Sequence, residues 1–347
     1  MQAEPDLSPS GPGEARPENQ VVTRRFTASA EDAGRRLDLY LASRLPDLSR
    51  TRIQELIDER RVRVNERLAR RAQRIMPGDI VDIEILPRPP LRATPEEIPL
   101  NVLYEDEDVI VVNKPAGMVV HAGAGAHEGT LVNALLHHFG TLSGVGGSLR
   151  PGIVHRLDRG TSGAMVVARN DVAHRLLAEQ FRSRAVNKTY VALLHGRMPG
   201  DTGTIERPIT RDPHRRTRMT ARLAHGRAAQ TNWRVLLRLG NLALVEAEPR
   251  TGRTHQIRAH FAAAGHPLVG DTLYGAPRQI HAGGRSFEPL GRVFLHAARL
   301  KFAHPRTGAS IEIRAPLDPG LREYLKQLAD AADVEPRKVD AALRRYL

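Results

Sequence analysis

Residues 152–169 read GIVHRLDRGTSGAMVVAR, and their interpretation decides much of the rest. The apolar pair Ile153-Val154 runs into His155, Arg156 and Asp158. Gly160, Thr161, Ser162 and Gly163 then lead into GAMVVAR (163–169), a continuous apolar run of the kind a buried strand shows. A strand end, a polar turn and a second strand would hold one carboxylate, Asp158, out of the core among strong hydrogen-bonding partners. That carboxylate either does chemistry or ties the turn together.

The segments around this stretch predict an α+β unit. DVIVVNKPAGM (108–118) is a buried strand ended by a Lys-Pro pair and a glycine turn. A helix is expected near 130–139, followed by a Gly-rich loop over 140–152. DVAHRLLAEQFRS (171–183) has the spacing of an amphipathic helix, and KTYVALLHG (188–196) that of a strand. WRVLLRLGNLALVEAEP (233–249) reads as a β-hairpin turning at Gly240-Asn241. RTGRTHQIRAHFAAAGHPLVGD (250–271) passes through a turn into a helix stopped by Gly265 and Pro267. Strands outnumber helices and several are joined by hairpins. This predicts a mixed, mainly antiparallel sheet rather than a doubly wound nucleotide fold. The phosphate-binding pattern G-x-x-x-x-G-K-[ST] is absent, and GAGAHEG (123–129) does not sit as a dinucleotide fingerprint should.

Towards the N-terminus the character changes. Residues 1–20 are rich in Pro, Gly, Glu and Ser and are expected to be disordered; they contain no apolar core of a signal peptide. Within 21–86 a small module is expected. Leu37, Tyr40, Leu41 and Leu45 recur at helical spacing, and Ser49 can cap a second helix with Ile53, Leu56 and Ile57 on its apolar face. VRVN (62–65) and IVDIEI (80–85) read as short strands. From Arg35 to Arg74 there are twelve arginines against six acidic residues. Arg36 lies before the first helix, while Arg50, Arg52, Arg60 and Arg61 bracket the second, a placement that suits phosphate contacts as well as a solvated face. The Pro-rich stretch LPRPPLRATPEEIPL (86–100) is expected to be a linker.

Composition narrows the class of partner. The chain has 347 residues, a hydrophobic fraction of 41% and a net charge of +13, mostly from arginine. This excess favours an anionic partner, nucleic acid first and an acidic membrane surface second. With aromatics at 4%, extensive stacking on single-stranded bases is not expected. There is no cysteine, so disulfides, thiolate metal sites and thiol nucleophiles are excluded, and a reducing cytoplasm fits. No apolar run approaches the length of a membrane span.

Three polar clusters fall at strand ends or helix starts. They are His155-Arg156-Asp158-Thr161-Ser162, Lys188-Tyr190, and Arg250-Arg253-His255-Gln256-Arg258. A carboxylate kept ionised in a closed pocket needs a paired cation, and Arg258, in the first turn of its helix, can supply one. His155, Lys188 and Gln256 are further candidates for substrate contact. His255, His260 and His266 lack the i, i+4 spacing of zinc enzymes, so no metal site is expected. Ser162 lacks the G-x-S-x-G context of a nucleophile.

GIVHRLDRGTSGAMVVAR resembles the signature motif of the RluA-type pseudouridine synthases. NKPAGMVVHAGAG, NKTYVALLHG, RPITRDPHRRTRMT, TGRTHQIRAHFAAAGHPLVGDTLYG and RAPL resemble further motifs of that family in the same order. GRRLDLYLASRL, SRTRIQELIDERRVRVNE and IMPGDIVDI resemble the S4 RNA-binding module. The likeness spans about residues 30–320 and is nearest to the S4-bearing subgroup acting on large-subunit ribosomal RNA. Ala164-Met165 departs from a commoner Leu-rich pair, and the segment beyond about 330 matches no motif.

The resemblance implies a pseudouridine synthase fold over 101–330, preceded by the S4-like domain and followed by a C-terminal tail or helix at 331–347. It implies isomerisation of uridines without a cofactor, with free ribosomal RNA or a pre-ribosomal particle as partner and no membrane. A cytoplasmic monomer is expected. Asp158 would act at the anomeric carbon of a uridine, Arg258 would be its ion-pair partner, and the Tyr190 ring would lie against the uracil. Arg156 would fill the place vacated by a flipped nucleotide, and Leu317 would supply an apolar floor. The family comparison also makes Arg215 and Arg216 candidates for RNA contact. A noncatalytic RNA-binding or ribosome-assembly factor on the same scaffold, and a DNA-binding protein, are the alternatives.

Overall fold

Alternating apolar residues and helices docked on the sheet faces explain most of the architecture. The computed structural model of the chain describes residues 21–85, 93–122 and 128–346. The expected disordered tail (1–20), residues 86–92 of the Pro-rich stretch, residues 123–127 of GAGAHEG, and Leu347 lie outside the described residues. Two compact units meet in sequence between Leu91 and Arg92.

The first unit contains β1 (Val22–Thr27), α1 (Leu37–Arg44), α2 (Arg50–Asp58), β2 (Val62–Val64), β3 (Arg67–Leu68) and β4 (Ile80–Ile85). Its four strands form an antiparallel sheet in the order β1-β4-β2-β3. Leu37, Tyr40 and Leu41 of α1 pack with Ile53, Leu56 and Ile57 of α2 on Val62, Val64, Val81 and Ile83. The Ser49 hydroxyl accepts the Arg52 amide at 3.2 Å and caps α2, as its position in the sequence predicts. Strand β1 is exposed along its length except for half-buried Phe26, so it carries little periodic signal.

The second unit contains β5 (Val102–Glu105), β6 (Val109–Lys114), α3 (Leu131–Phe139), β7 (Ser162–Ala168), α4 (Asp171–Arg182), β8 (Asn187–His195), β9 (Thr202–Glu206), β10 (Thr210–Arg211), β11 (Met219–Thr220), β12 (Gln230–Leu239), β13 (Leu242–Pro249), α5 (Gln256–Ala263), β14 (Ile280–Ala282), β15 (Arg285–Phe287), β16 (Leu295–Ala303), β17 (Ser310–Arg314), α6 (Pro319–Ala331) and α7 (Pro336–Leu343). A nine-stranded sheet runs β5-β6-β7-β16-β8-β13-β12-β9, with β17 paired to β16. Every pairing in it is antiparallel except β7 with β16.

Side chains alternate across this sheet with period two. Val191 and Leu193 of β8 face Leu321, Leu325 and Leu328 of α6 and Val339 and Leu343 of α7. Ala192 and Leu194, one residue out of step, face Ile257 and Phe261 of α5. In the other half, Val109, Val111 and Val166 meet Ala173 and Leu177 of α4. Ile110, Val112, Met165 and Val167 meet Leu131 and Leu135 of α3. The segment after Ala331 is part of this core, because Val339, Leu343 and Tyr346 are all buried there.

Residues 93–100 hang as a strap on the second unit. The Ala93 amide donates to Ser148 O at 3.1 Å, the Glu96 amide to Asn133 O at 3.0 Å, and Asn133 Nδ2 to Thr94 O at 2.7 Å. Gly163 allows the central strands to approach. Its φ is +118°, and a Cβ there would lie 2.3 Å from Ala297 O of β16. Among the described residues no helix is long and apolar enough to cross a membrane.

Candidate active site

The loop 155–161 precedes β7 and is fixed from three sides. Its own turn closes with the Thr161 amide donating to Asp158 O at 3.0 Å. The turn after β6 clasps it from below: Lys114 Nζ donates to Pro115 O (2.7 Å), Met118 O (2.9 Å) and Arg159 O (3.5 Å), while Arg159 Nε donates to Gly117 O (3.0 Å). Lys114 is fully buried, and that burial lowers its pKa to about 7. On the β16 side, Ser162 Oγ lies 2.9 Å from His296 Nδ1 and accepts Arg292 Nη2 at 2.8 Å. Ser162 is thus an anchor of the loop, and it is buried.

Asp158 lies at the mouth of α5. Arg258 Nη1 donates to Asp158 Oδ2 at 3.1 Å, and His255 Nε2 stands 3.8 Å from the same oxygen. Oδ1 of Asp158 has no hydrogen bond among the described residues. Arg258 is itself held by Asp271, with Nε to Oδ2 at 2.7 Å and Nη2 to Oδ1 at 2.9 Å, and its guanidinium lies 4.9 Å from the centre of the Tyr274 ring. Burial opposes the Arg258 charge, but the Asp271 and Asp158 carboxylates more than offset it and raise the pKa.

His255 begins α5 in the left-handed region, at φ +55° and ψ 25°. Its Nδ1 lies 3.0 Å from Tyr274 Oη, which accepts the Met219 amide at 2.9 Å. A Tyr274 hydroxyl that donates to Nδ1 puts the ring proton on Nε2, facing Asp158. Burial lowers the His255 pKa, with the Asp158 charge acting in the opposite sense.

These groups open on a cavity of about 560 Å³. All three polar clusters reach it: His155, Arg156, Asp158 and Thr161 from the first, Lys188 and Tyr190 from β8, and Arg250, Arg253, His255, Gln256 and Arg258 from the approach to α5. Burial, with Asp158 adding, pushes the Tyr190 phenol well above its ordinary pKa, so it stays protonated. Burial lowers the Lys188 pKa. His155 is stacked on Phe181 with ring centres 4.4 Å apart and accepts the Val166 amide at Nε2 (3.1 Å). Burial, then the neighbouring Lys188 charge, lowers its pKa to about 3, so the ring is neutral. Thr161 Oγ1 is buried and without a partner among the described residues.

Comparison with known proteins identifies the family of the chain. The RNA pseudouridylate synthase family model matches residues 108–263, and the S4 domain model matches 35–81. A Bacillus subtilis (strain 168) protein named as an uncharacterized RNA pseudouridine synthase is 43% identical, over 87% of this chain and 97% of its own length. The chain belongs to the RNA pseudouridine synthase family. The ribosomal large subunit pseudouridine synthase D of Zymomonas mobilis is 41% identical, over 89% of this chain and 98% of its own. In structure, human RNA pseudouridylate synthase domain containing 1 superposes with a TM-score of 0.51 at 30% identity, covering 70% of this chain and 97% of that one. The chain is therefore an RNA isomerase of the S4-bearing, RluA-type group, on a pseudouridine synthase fold.

Two candidate residues of the synthase occupy places other than those expected. Leu317 is not a floor of the cavity. It is buried with Val191, Leu193 and Phe294 in the α6–α7 core, across the sheet from Tyr190, and its amide donates to Tyr346 O at 2.9 Å. Leu295, Ile257 and Val154 supply apolar lining instead. Gln256 borders the cavity but its amide is spent. Oε1 accepts Thr251 Oγ1 (2.6 Å) and the Arg253 amide (3.1 Å), and Nε2 donates to Gln230 O (2.9 Å) and Thr231 Oγ1 (3.0 Å). It secures the loop 250–255.

The arginines of the first unit are mostly engaged. Arg36 and Arg50 pair with Asp38, Arg52 with Glu55 and Glu59, and Arg61 with Glu84. Arg60 is exposed and forms no ion pair among the described residues. Arg215 and Arg216 are exposed in the loop joining β10 and β11. Asp271, Tyr274 and Lys114 were absent from the sequence candidates. Asp271 and Tyr274 stand in VGDTLYG and Lys114 in NKPAGM, so the motifs contained them, but which partner each meets is set only by folding. A cluster of Asp106, Asp108 and His304 has metal-ligand spacing. Its groups are taken by Tyr104, which donates to Asp106 at 2.6 Å, and by Arg306 on Asp108 at 2.7 Å.

Proposed function

We propose that this synthase isomerises specific uridines of large-subunit ribosomal RNA, with Asp158 acting at the sugar. The observation that supports it most is the half-bound carboxylate: Asp158 lines the cavity, its Oδ2 is anchored by Arg258, and its Oδ1 has no hydrogen bond among the described residues. In this scheme Oδ1 approaches C1′ as the C1′–N1 bond breaks and the electron pair leaves with the uracil ring. The carboxylate bonds or stabilises the resulting sugar cation. The uracil turns against Tyr190, C5 bonds C1′, and Asp158 is released. C5 loses its proton and N1 gains one, so nothing is consumed and no cofactor is required. Thr161 Oγ1, without a partner among the described residues, and Lys188, which lines the cavity with its Nζ 6.0 Å from the Phe181 ring centre, are donors available to the base, and Arg156 stands exposed where it can take the vacated place in the RNA.

Residues 21–86 would serve as the S4-like RNA anchor and 101–330 as the catalytic domain. The Zymomonas relative's name supports large-subunit RNA as the substrate. The arginines Arg36, Arg50, Arg52, Arg60, Arg61, Arg215 and Arg216 would contact phosphates, Arg36 and Arg50 through Nη1 while Nε and Nη2 keep Asp38. The test is to incubate the purified protein with a large-subunit rRNA transcript in a chelating buffer and map pseudouridine. Defined new sites are expected. RNA binding without any isomerisation would favour the assembly-factor alternative.

A further inference from the structure

We propose that Asp271 is a positioning residue of the synthase, taking up the Arg258 fork so that one oxygen of Asp158 stays free to react. This role presupposes the functions proposed above for Asp158 and Arg258. A guanidinium offers donors along two edges and grips a carboxylate best with two parallel N–H bonds. Here that two-fold grip goes to Asp271, at 2.7 and 2.9 Å. Asp158 receives one longer bond, at 3.1 Å, to one oxygen.

The bracket that holds Asp271 is rigid. The Asp271 amide donates to Leu268 O (3.0 Å), and its carbonyl accepts the amides of Tyr274 (3.0 Å) and Ala276 (3.1 Å). The preceding Gly270 has φ +79°, and a Cβ there would lie 1.9 Å from Arg292 O. The Asp271 side chain is 2% exposed, that of Asp158 19%. With one edge of Arg258 on Asp271 and its face on Tyr274, the guanidinium meets Asp158 through Nη1 alone.

The chemical consequence concerns Oδ1 of Asp158. A carboxylate gripped at both oxygens would have to break a charge-assisted bond before it approached C1′. Without Asp271, the Arg258 fork is free to close on both oxygens of Asp158. With it, two carboxylates share one cation, and the excess negative charge sits where the sugar becomes positive.

Single-turnover rates at saturating large-subunit rRNA transcript, RNA affinity and thermal melting test this. Asp271→Asn should slow the chemical step by about 10²-fold while RNA affinity stays within about twofold. Asp271→Glu, which keeps two oxygens, should recover most of the rate. Lysine cannot fork, so in an Arg258→Lys background Asp271→Asn should change the rate by less than about threefold. Asp271→Ser replaces Asp271→Asn in the same comparison if the latter does not fold. An unchanged rate in Asp271→Asn, effects that multiply with Arg258→Lys, or a rate loss that follows the melting temperature across the variants would each overturn the role. Asp158→Asn is the control: if it still turns over, the assignment of Asp158 fails, whatever Asp271 does.

Discussion

The tripeptide Arg-Leu-Asp occurs at 36–38 and again at 156–158, and the two aspartates end in opposite circumstances. In both copies the leucine is buried in its unit's core. Asp38 is fully buried, and both of its oxygens are saturated: Arg36 takes Oδ1 and Oδ2 (3.1 and 3.2 Å), while Arg50 (2.8 Å) and Gln54 (2.7 Å) crowd onto Oδ2. Burial opposes its charge, but the hydrogen bonds from Arg36, Gln54 and Arg50 hold its pKa below the ordinary range. Asp158 is part-exposed and, among the described residues, bonded through one oxygen only. A saturated carboxylate knits a helix pair together; one with an unbonded oxygen in a cavity has a lone pair left for a substrate.

The sharpest way to break this contrast is to neutralise each aspartate. Asp158→Asn should cut turnover by about 10⁴-fold or more, with RNA binding and melting temperature retained. Asp38→Ala should do the reverse. It strands Arg36 and Arg50, costs the first unit about 3 kcal/mol, and leaves the chemical step at saturating RNA intact. Denaturant melts and single-turnover assays on both variants check this, and a matched loss of activity would erase the distinction.

Tyr190→Phe keeps the ring and removes the hydroxyl. Turnover should fall by about 10²-fold if that oxygen helps to move a proton, with RNA affinity unchanged. Equal rates would leave Tyr190 a packing surface.

Deleting the first unit tests the contrast at the scale of whole units. The shortened chain should begin near Arg92, because residues 93–96 are hydrogen-bonded to the second unit. It should keep some turnover at high RNA concentration. Its binding should lose salt dependence by about 0.7–0.9 log unit for each phosphate contact removed. An unchanged salt slope would mean that this unit is no RNA anchor.

The smallest effect expected is in acid stability. His155 takes up its proton at about 3 in the folded chain, against an ordinary 6.5. The unfolded chain is therefore protonated first, and the second unit should lose stability as pH falls from 6.5 towards 3. In the first unit Asp32 is lowered to about 2 from 3.8, chiefly by the Ser29 amide and helped by Arg44. Its contribution is present above 3.8 and is lost as pH falls through 2. Unfolding monitored against pH should flatten in the upper window for His155→Gln and in the lower one for Asp32→Asn.

Much of this was legible in the sequence because it is local. Apolar periodicity predicts α1, α2, α4 and the β12–β13 hairpin, and the motif around Asp158 lines the candidate site. Two facts were not local. The strand β16, which joins the two halves of the sheet, is a weak strand by pattern, with His296, Arg299 and Lys301 along it. Leu317 could be assigned to a motif but not to a face of the sheet, and a shift to the other face removes it from the cavity.

The sequence by itself determined that Asp158 would stand in a polar turn before a buried strand, because glycines, hydroxyls and an apolar run at fixed spacing leave the backbone few alternatives. Tertiary structure alone decided which of its oxygens is bound. That depends on Arg258, a hundred residues away in the chain, and on Asp271, which claims the better edge of the same guanidinium. A charge's partners are set by distance and by competition for a limited number of N–H groups, and neither quantity exists until the sheet has closed.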